Sequence, residues 1–137
     1  MLADLAPAVD ATRLTLHVLA AAVWVGGQIT LAGLLPAVRR LGESAPSTLA
    51  RRFATLAWPA YAVLVVTGIW NVAASHPGRH TTAWKAVLAA KIATVLLAGV
   101  ASLLHSRAVS RSALAAWGSI SGLTSLAALT LGVLLAG

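Results

Sequence analysis

The stretch Leu16-His17-Val18-Leu19-Ala20-Ala21-Ala22-Val23-Trp24-Val25-Gly26-Gly27-Gln28 decides how this chain is read. It lies in an apolar run over residues 14–37, long enough to cross a hydrocarbon core of ~30 Å as a helix. One histidine, one tryptophan and one glutamine interrupt it. At 100° per residue, His17, Trp24 and Gln28 fall within about 40° of one another, forming a single polar stripe. Such a stripe is costly against lipid, so it should face partner helices that the rest of the chain supplies.

The composition supports a membrane setting. Of 137 residues, 59% are hydrophobic and 9% charged, and the mean hydropathy is +0.88, far from the profile of a soluble domain. A formal net charge of +7 could suggest nucleic acid, but the basic residues sit in short connectors between apolar runs, where they set topology, and nucleic-acid binding is set aside. The chain has no cysteine, which excludes disulfides, thiolate metal sites, iron–sulfur clusters and cysteine nucleophiles. Its one methionine is Met1, so no thioether-rich copper conduit is present. The opening MLADLAPAVDATR has no basic residue before Arg13 and does not read as a cleavable signal peptide, so the first helix is expected to stay.

Further apolar segments over 54–75, 84–105 and 114–136 complete a set of four. Backbone groups cannot go unpaired in lipid, so each should be a helix. The expected fold is an all-α integral membrane four-helix bundle, a single domain over 1–137. Pro36 with Arg39 and Arg40 closes the first helix, and Trp58-Pro59 stands near the start of the second, where proline costs least. Gly118, Ser119, Ser121, Gly122 and Ser125 give the fourth helix a small-residue face suited to close contact. Arg39, Arg40, Arg51, Arg52, Arg107 and Arg111 fall in the first and third connectors. Arg13, Arg79 and Lys85 fall on the opposite side, with Asp4 and Asp10. The basic excess places those two connectors in the cytoplasm and both termini outside.

In that topology, His17 near the outer start of the first helix, Asn71 near the outer end of the second and Lys91 two turns into the third share one layer of the outer leaflet. His105 lies about 21 Å further along the third helix and cannot join them. A lone intramembrane histidine is either interhelical glue or a ligand. Lys91 tips the balance toward a site, since a membrane ammonium costs at least ~2.5–3.5 kcal/mol at the helix centre. Its amine is either charged, pairing with an anionic ligand group, or neutral, with a lone pair for a metal. Trp24, too deep for an aromatic belt, packs or lines a cavity, and Gln28 continues the same face. Trp58, Trp70, Trp84 and Trp117 read as interfacial anchors. His76 and His80 flank Pro77-Gly78, which favours a solvated loop over a helical metal pair. No catalytic constellation stands out.

The segment LHVLAAAVWVGGQITLAGLLPAVRR resembles the first helix of CopD-type copper resistance proteins, with a His before a Trp-x-Gly-Gly turn and a Pro before basic residues. RRFATLAWPAYAVLVVTGIWNV is similar to that family's second helix and AWKAVLAAKIATVLLAGVASLLHSR to its third, with Lys91 buried. The resemblance covers about residues 14 to 107. It implies a multi-pass protein of the bacterial cytoplasmic membrane that takes up copper or confers resistance to it without being an enzyme. His17 would contact the metal, and Trp24, Gln28, Asn71 and Lys91 would line the site. With one intramembrane histidine per chain, a homodimer or a periplasmic copper-binding partner would supply further ligands.

A second family, the HemJ-type proteins linked to protoporphyrinogen oxidation, resembles the chain in pairing a first-helix His with a Trp seven residues on and a third-helix Lys. That resemblance implies haem b between helices, with His17 as axial ligand and Lys91 as second ligand or propionate partner.

Overall fold

The structure, a computed structural model, describes residues 7–136 and is helical almost throughout. Among these residues, four helices are long and apolar enough to cross a membrane. We number them α1 (Ala8–Arg39), α2 (Ala45–Ala74), α3 (Thr82–Arg107) and α4 (Arg111–Ala136). The protein is an all-α, multi-pass membrane protein. Asp4 and the rest of the opening segment before Pro7 lie outside the described residues. Contacts group the chain into two compact helix pairs, divided between His76 and Pro77.

All four helices run beyond the apolar segments that mark them, most clearly at the start of α2, where residues 45–53 are already helical. Hydropathy marks the lipid-crossing part, whereas backbone hydrogen bonding continues into water wherever residues such as Ala, Leu and Arg favour it. Pro59 therefore lies in the middle of α2, not near its start. It removes one hydrogen bond, and neighbouring helix packing compensates. Pro36 likewise lies inside α1, which runs on to Arg39.

In the first pair, Pro7 caps α1 with φ −52° and ψ 144°, and Asp10 in the first turn complements the positive helix end. The α1–α2 connector turns at Gly42, whose φ of +138° is open to glycine and strained for other residues. Pro46 occupies the first turn of α2, where its missing N–H is not needed. The departure from regular geometry is in α1: Ala22–Gly26, containing Trp24, forms a π-helical turn. Thr30 donates to the Gly26 carbonyl at 2.8 Å, adding a donor at that turn's edge. Directly below, Gly27 lies under the ring of Phe53 from α2, and a Cβ there would fall inside the ring's van der Waals envelope. Gly27→Ala should therefore lower stability by about 1–3 kcal/mol through overpacking. Denaturant unfolding in mixed micelles would measure this, and adding Phe53→Leu should recover part of the loss.

The second pair packs α3 on α4 through small residues. Ala98, Ala101, Ser121 and Ser125 are buried, with Ala101 fully so, and Ser102 Oγ and Ser121 Oγ are 2.6 Å apart. Without a hydrophobic drive between helices in lipid, close backbone approach and such hydroxyl contacts supply the adhesion. Thr81 caps α3 by accepting from the Trp84 N–H. Ser110 accepts from the Ala113 N–H at the start of α4. Outward faces carry Val18, Leu19, Val66, Ile69, Leu123 and Val133, all well exposed, the surface that lipid tails would solvate.

Candidate functional site

Four contacts set the register of α1 against α2. Gly27 meets Phe53, Trp24 meets Trp58 and Tyr61, and His17 meets Thr67. The two helices are antiparallel, with one line of side chains running between them.

His17 is half-buried on that line. Its Nδ1 lies 2.7 Å from Thr67 Oγ1, and Thr67 is itself 3% exposed. The Thr67 hydroxyl lies 2.6 Å from the Val63 carbonyl and 3.3 Å from that of Leu64. Next to Thr67, Gly68 leaves the ring room: a Cβ there would sit 3.8 Å from His17 Cε1, in ordinary contact. The imidazole is thus clamped to α2 by one ring nitrogen, the arrangement common to metal-ligating histidines, whose other nitrogen is usually tied to a protein oxygen.

Trp24 is 4% exposed and forms the core of the pair with Val25 and Ala57, flanked by Phe53, Tyr61 and Leu64. Its ring lies 4.6 Å from that of Tyr61 and 5.8 Å from that of Trp58. Trp58, expected as an interfacial anchor, belongs to an aromatic cluster with Trp24 and Tyr61. The π turn alters the expected polar stripe, because each such turn adds one residue and sets the following helix back by about 100°. Gln28, expected within about 20° of His17, is rotated to roughly 80° from it; it is half-buried just beyond the turn.

One turn from His17 toward the start of α1 is Arg13, and one turn beyond Thr67 on α2 is Asn71. The antiparallel register sets these two at one level. Arg13 is 9% exposed, with Nη2 2.9 Å from Asp10 Oδ1. Its Nε and the Oδ1 of Asn71 are both buried without a hydrogen-bond partner. Each such atom costs about 1–3 kcal/mol, so their retention calls for an explanation beyond stability. Asn71→Leu should raise stability by roughly 1 kcal/mol in denaturant unfolding, and a loss instead would mean that the amide holds the helices together. Neither Thr67 nor Arg13 stood out in the sequence as a site residue. The available signal was spacing: Arg13 with His17, and Thr67 with Asn71, each pair sharing one helix face.

Lys91 belongs to the second pair. Its Nζ lies 2.9 Å from where a Gly132 Cβ would be. Gly132 is in the last turns of α4, whose unpaired carbonyls carry partial negative charge that favours an ammonium. His105 Nδ1 donates to the Leu114 carbonyl at 2.8 Å and rests against Gly118, tying the end of α3 to the start of α4. His76 closes α2 in a left-handed conformation, φ 51°. Pro77–Arg79 form a 3-10 turn, and the His80 ring stacks on Trp84 at 4.0 Å.

Two open apolar grooves mark the first pair. The smaller, about 230 Å³, lies between α1 and α2 along Ala20, Val23, Pro59 and Val63; the larger runs over Leu14, Val18 and Ala22 of α1. His17 lines neither of them. Among the described residues, no three His, Cys, Asp or Glu side chains cluster as a metal site. Compared with protein-family models, curated proteins and solved structures, the chain matches none.

Proposed function

We propose that this protein handles copper in a bacterial cytoplasmic membrane, with both termini outside, and that His17 is its metal contact in the outer leaflet. The supporting observation is the intramembrane histidine clamped by Nδ1 to the buried Thr67 hydroxyl at 2.7 Å. Copper here is cargo, taken from and passed to other ligands, and one imidazole suits a transfer contact better than a storage site. A second copy or an external copper-binding partner would complete the coordination. The unpaired Oδ1 of Asn71, one turn outward, fits a place where a polar ligand group is received.

A second reading, haem b, is favoured by the same lone imidazole. A porphyrin brings four nitrogen donors of its own, so His17 would suffice as a protein ligand, with the redox chemistry then belonging to the haem.

The two readings separate in detergent-purified protein. Copper handling requires a Cu(I) or Cu(II) complex, measured by competition with a chromophoric chelator, that is lost in His17→Ala. A Soret band that disappears in His17→Ala would replace the copper reading with haem. Copper binding that survives His17→Ala in protein lacking a Soret band would overturn both.

A further inference from the structure

Arg39, Arg40, Arg51 and Arg52 all belong to the first helix pair and all are exposed, and among the described residues none of them is in an ion pair. Glu43, the acidic residue of the connector between them, is exposed and engages none of the four. The helix register sorts these arginines into two layers. Gly27 of α1 meets Phe53 of α2, so Arg51 and Arg52, just before Phe53, are level with Gln28 and Ile29. Arg39 and Arg40 lie about 15 Å further along α1 by helical rise.

In the other direction along α2, Arg52 and Asn71 are about 28 Å apart by the same rise. Asn71 shares its level with the Arg13–Asp10 ion pair and adjoins Trp70, whose exposed ring suits a membrane interface. The two polar layers bracket a stretch that matches a hydrocarbon core of ~30 Å. Apolar composition alone would carry α1 on to residue 37, whereas its register with α2 ends the lipid-crossing part at Gln28. Setting Arg39 and Arg40 at the surface instead would sink two unpaired guanidinium groups about 15 Å into lipid, beyond the reach of a snorkelling side chain. Between the arginine layers, Leu31, Leu35 and Val38 of α1 are half-buried and Leu34 is exposed among small residues, a face that water tolerates.

We propose that Arg51 and Arg52 form a headgroup site for an anionic phospholipid at the edge of the hydrocarbon, with Arg39 and Arg40 standing clear of it in water. A guanidinium presents a planar fork of N–H donors that matches phosphate oxygens. Neighbours in sequence, Arg51 and Arg52 lie at one depth and add their attractions for the anionic surface. Arg39 and Arg40 are separated from that surface by more than the screening length of ~8 Å at physiological salt, so their contribution is small. Free phosphate offers the same oxygens, but the position at the edge of the hydrocarbon favours a headgroup whose acyl chains are already in the bilayer.

The test measures retention of phosphatidylglycerol and of phosphatidylcholine on the full-length protein in detergent by native mass spectrometry. Phosphatidylglycerol should be bound in preference. Arg51→Gln with Arg52→Gln should weaken it about 30-fold, and either substitution alone about 5-fold. Arg39→Gln with Arg40→Gln should change it by less than about 2-fold. Arg51→Lys with Arg52→Lys should keep the preference, because the charge remains. Circular dichroism checks that each variant is folded, and the single variants carry the comparison if the glutamine pair is not. The proposal is overturned by equal retention of the two lipids, by an unchanged affinity without Arg51 and Arg52, or by an equal or larger loss from the Arg39 and Arg40 pair. Displacement of the lipid by inorganic phosphate overturns the assignment of a lipid as the occupant.

Discussion

Replacing Trp24 with alanine should destabilise the first helix pair on the order of 3 kcal/mol, the largest stability loss expected from a single truncation in this protein. Trp24 is the biggest buried side chain of the pair, 4% exposed, and its ring meets those of Tyr61 and Trp58. In a membrane the lost contribution is packing, because lipid tails are as apolar as the helix interface. Dispersion contacts and the aromatic geometry are forfeited together. The residue also sits in the π turn, so truncation removes the group around which α1 departs from regular pitch. Denaturant unfolding in mixed micelles should show the drop, with Trp58→Ala, at a 36% exposed position, costing clearly less. Equal losses at both positions would place the core of the pair elsewhere.

His17→Ala should do the opposite, leaving the fold largely intact while abolishing ligand binding. The Thr67 hydroxyl keeps its proton on the Val63 carbonyl when the ring is removed. The stability change should then be about 1 kcal/mol. Metal affinity should fall at least 100-fold, beyond the 10–100-fold that removing a residue behind a ligand typically costs. Calorimetric titration with copper beside an unfolding curve on the same sample separates these effects. A variant that unfolds yet still binds copper would mark His17 as helix glue.

Sequence and structure differ most along α1. A stripe of His17, Trp24 and Gln28 follows from uniform 100° steps, and the π turn at Ala22–Gly26 breaks that uniformity. Gly26 and Gly27, with weak helix preference, and the tryptophan before them are the local signals, but a π turn forms only where tertiary packing uses the extra residue. The burial of Ser121 and Ser125 was legible from their spacing, whereas the central positions of Trp58 and Pro59 within α2 were not. Hydropathy shows where lipid begins, not where a helix begins.

By itself the sequence determined an all-α membrane protein with four spans and the intramembrane positions of His17 and Lys91. These follow from local quantities, because apolar length and the need to pair every backbone group in lipid are properties of each segment alone. Tertiary structure decided that His17 is held by Thr67, that Trp24 packs against Tyr61 and Trp58, that Lys91 rests on Gly132, and that Arg13 and Asn71 carry unpaired buried atoms. Each depends on the register between two helices, which side-chain packing sets across the interface and no single helix encodes.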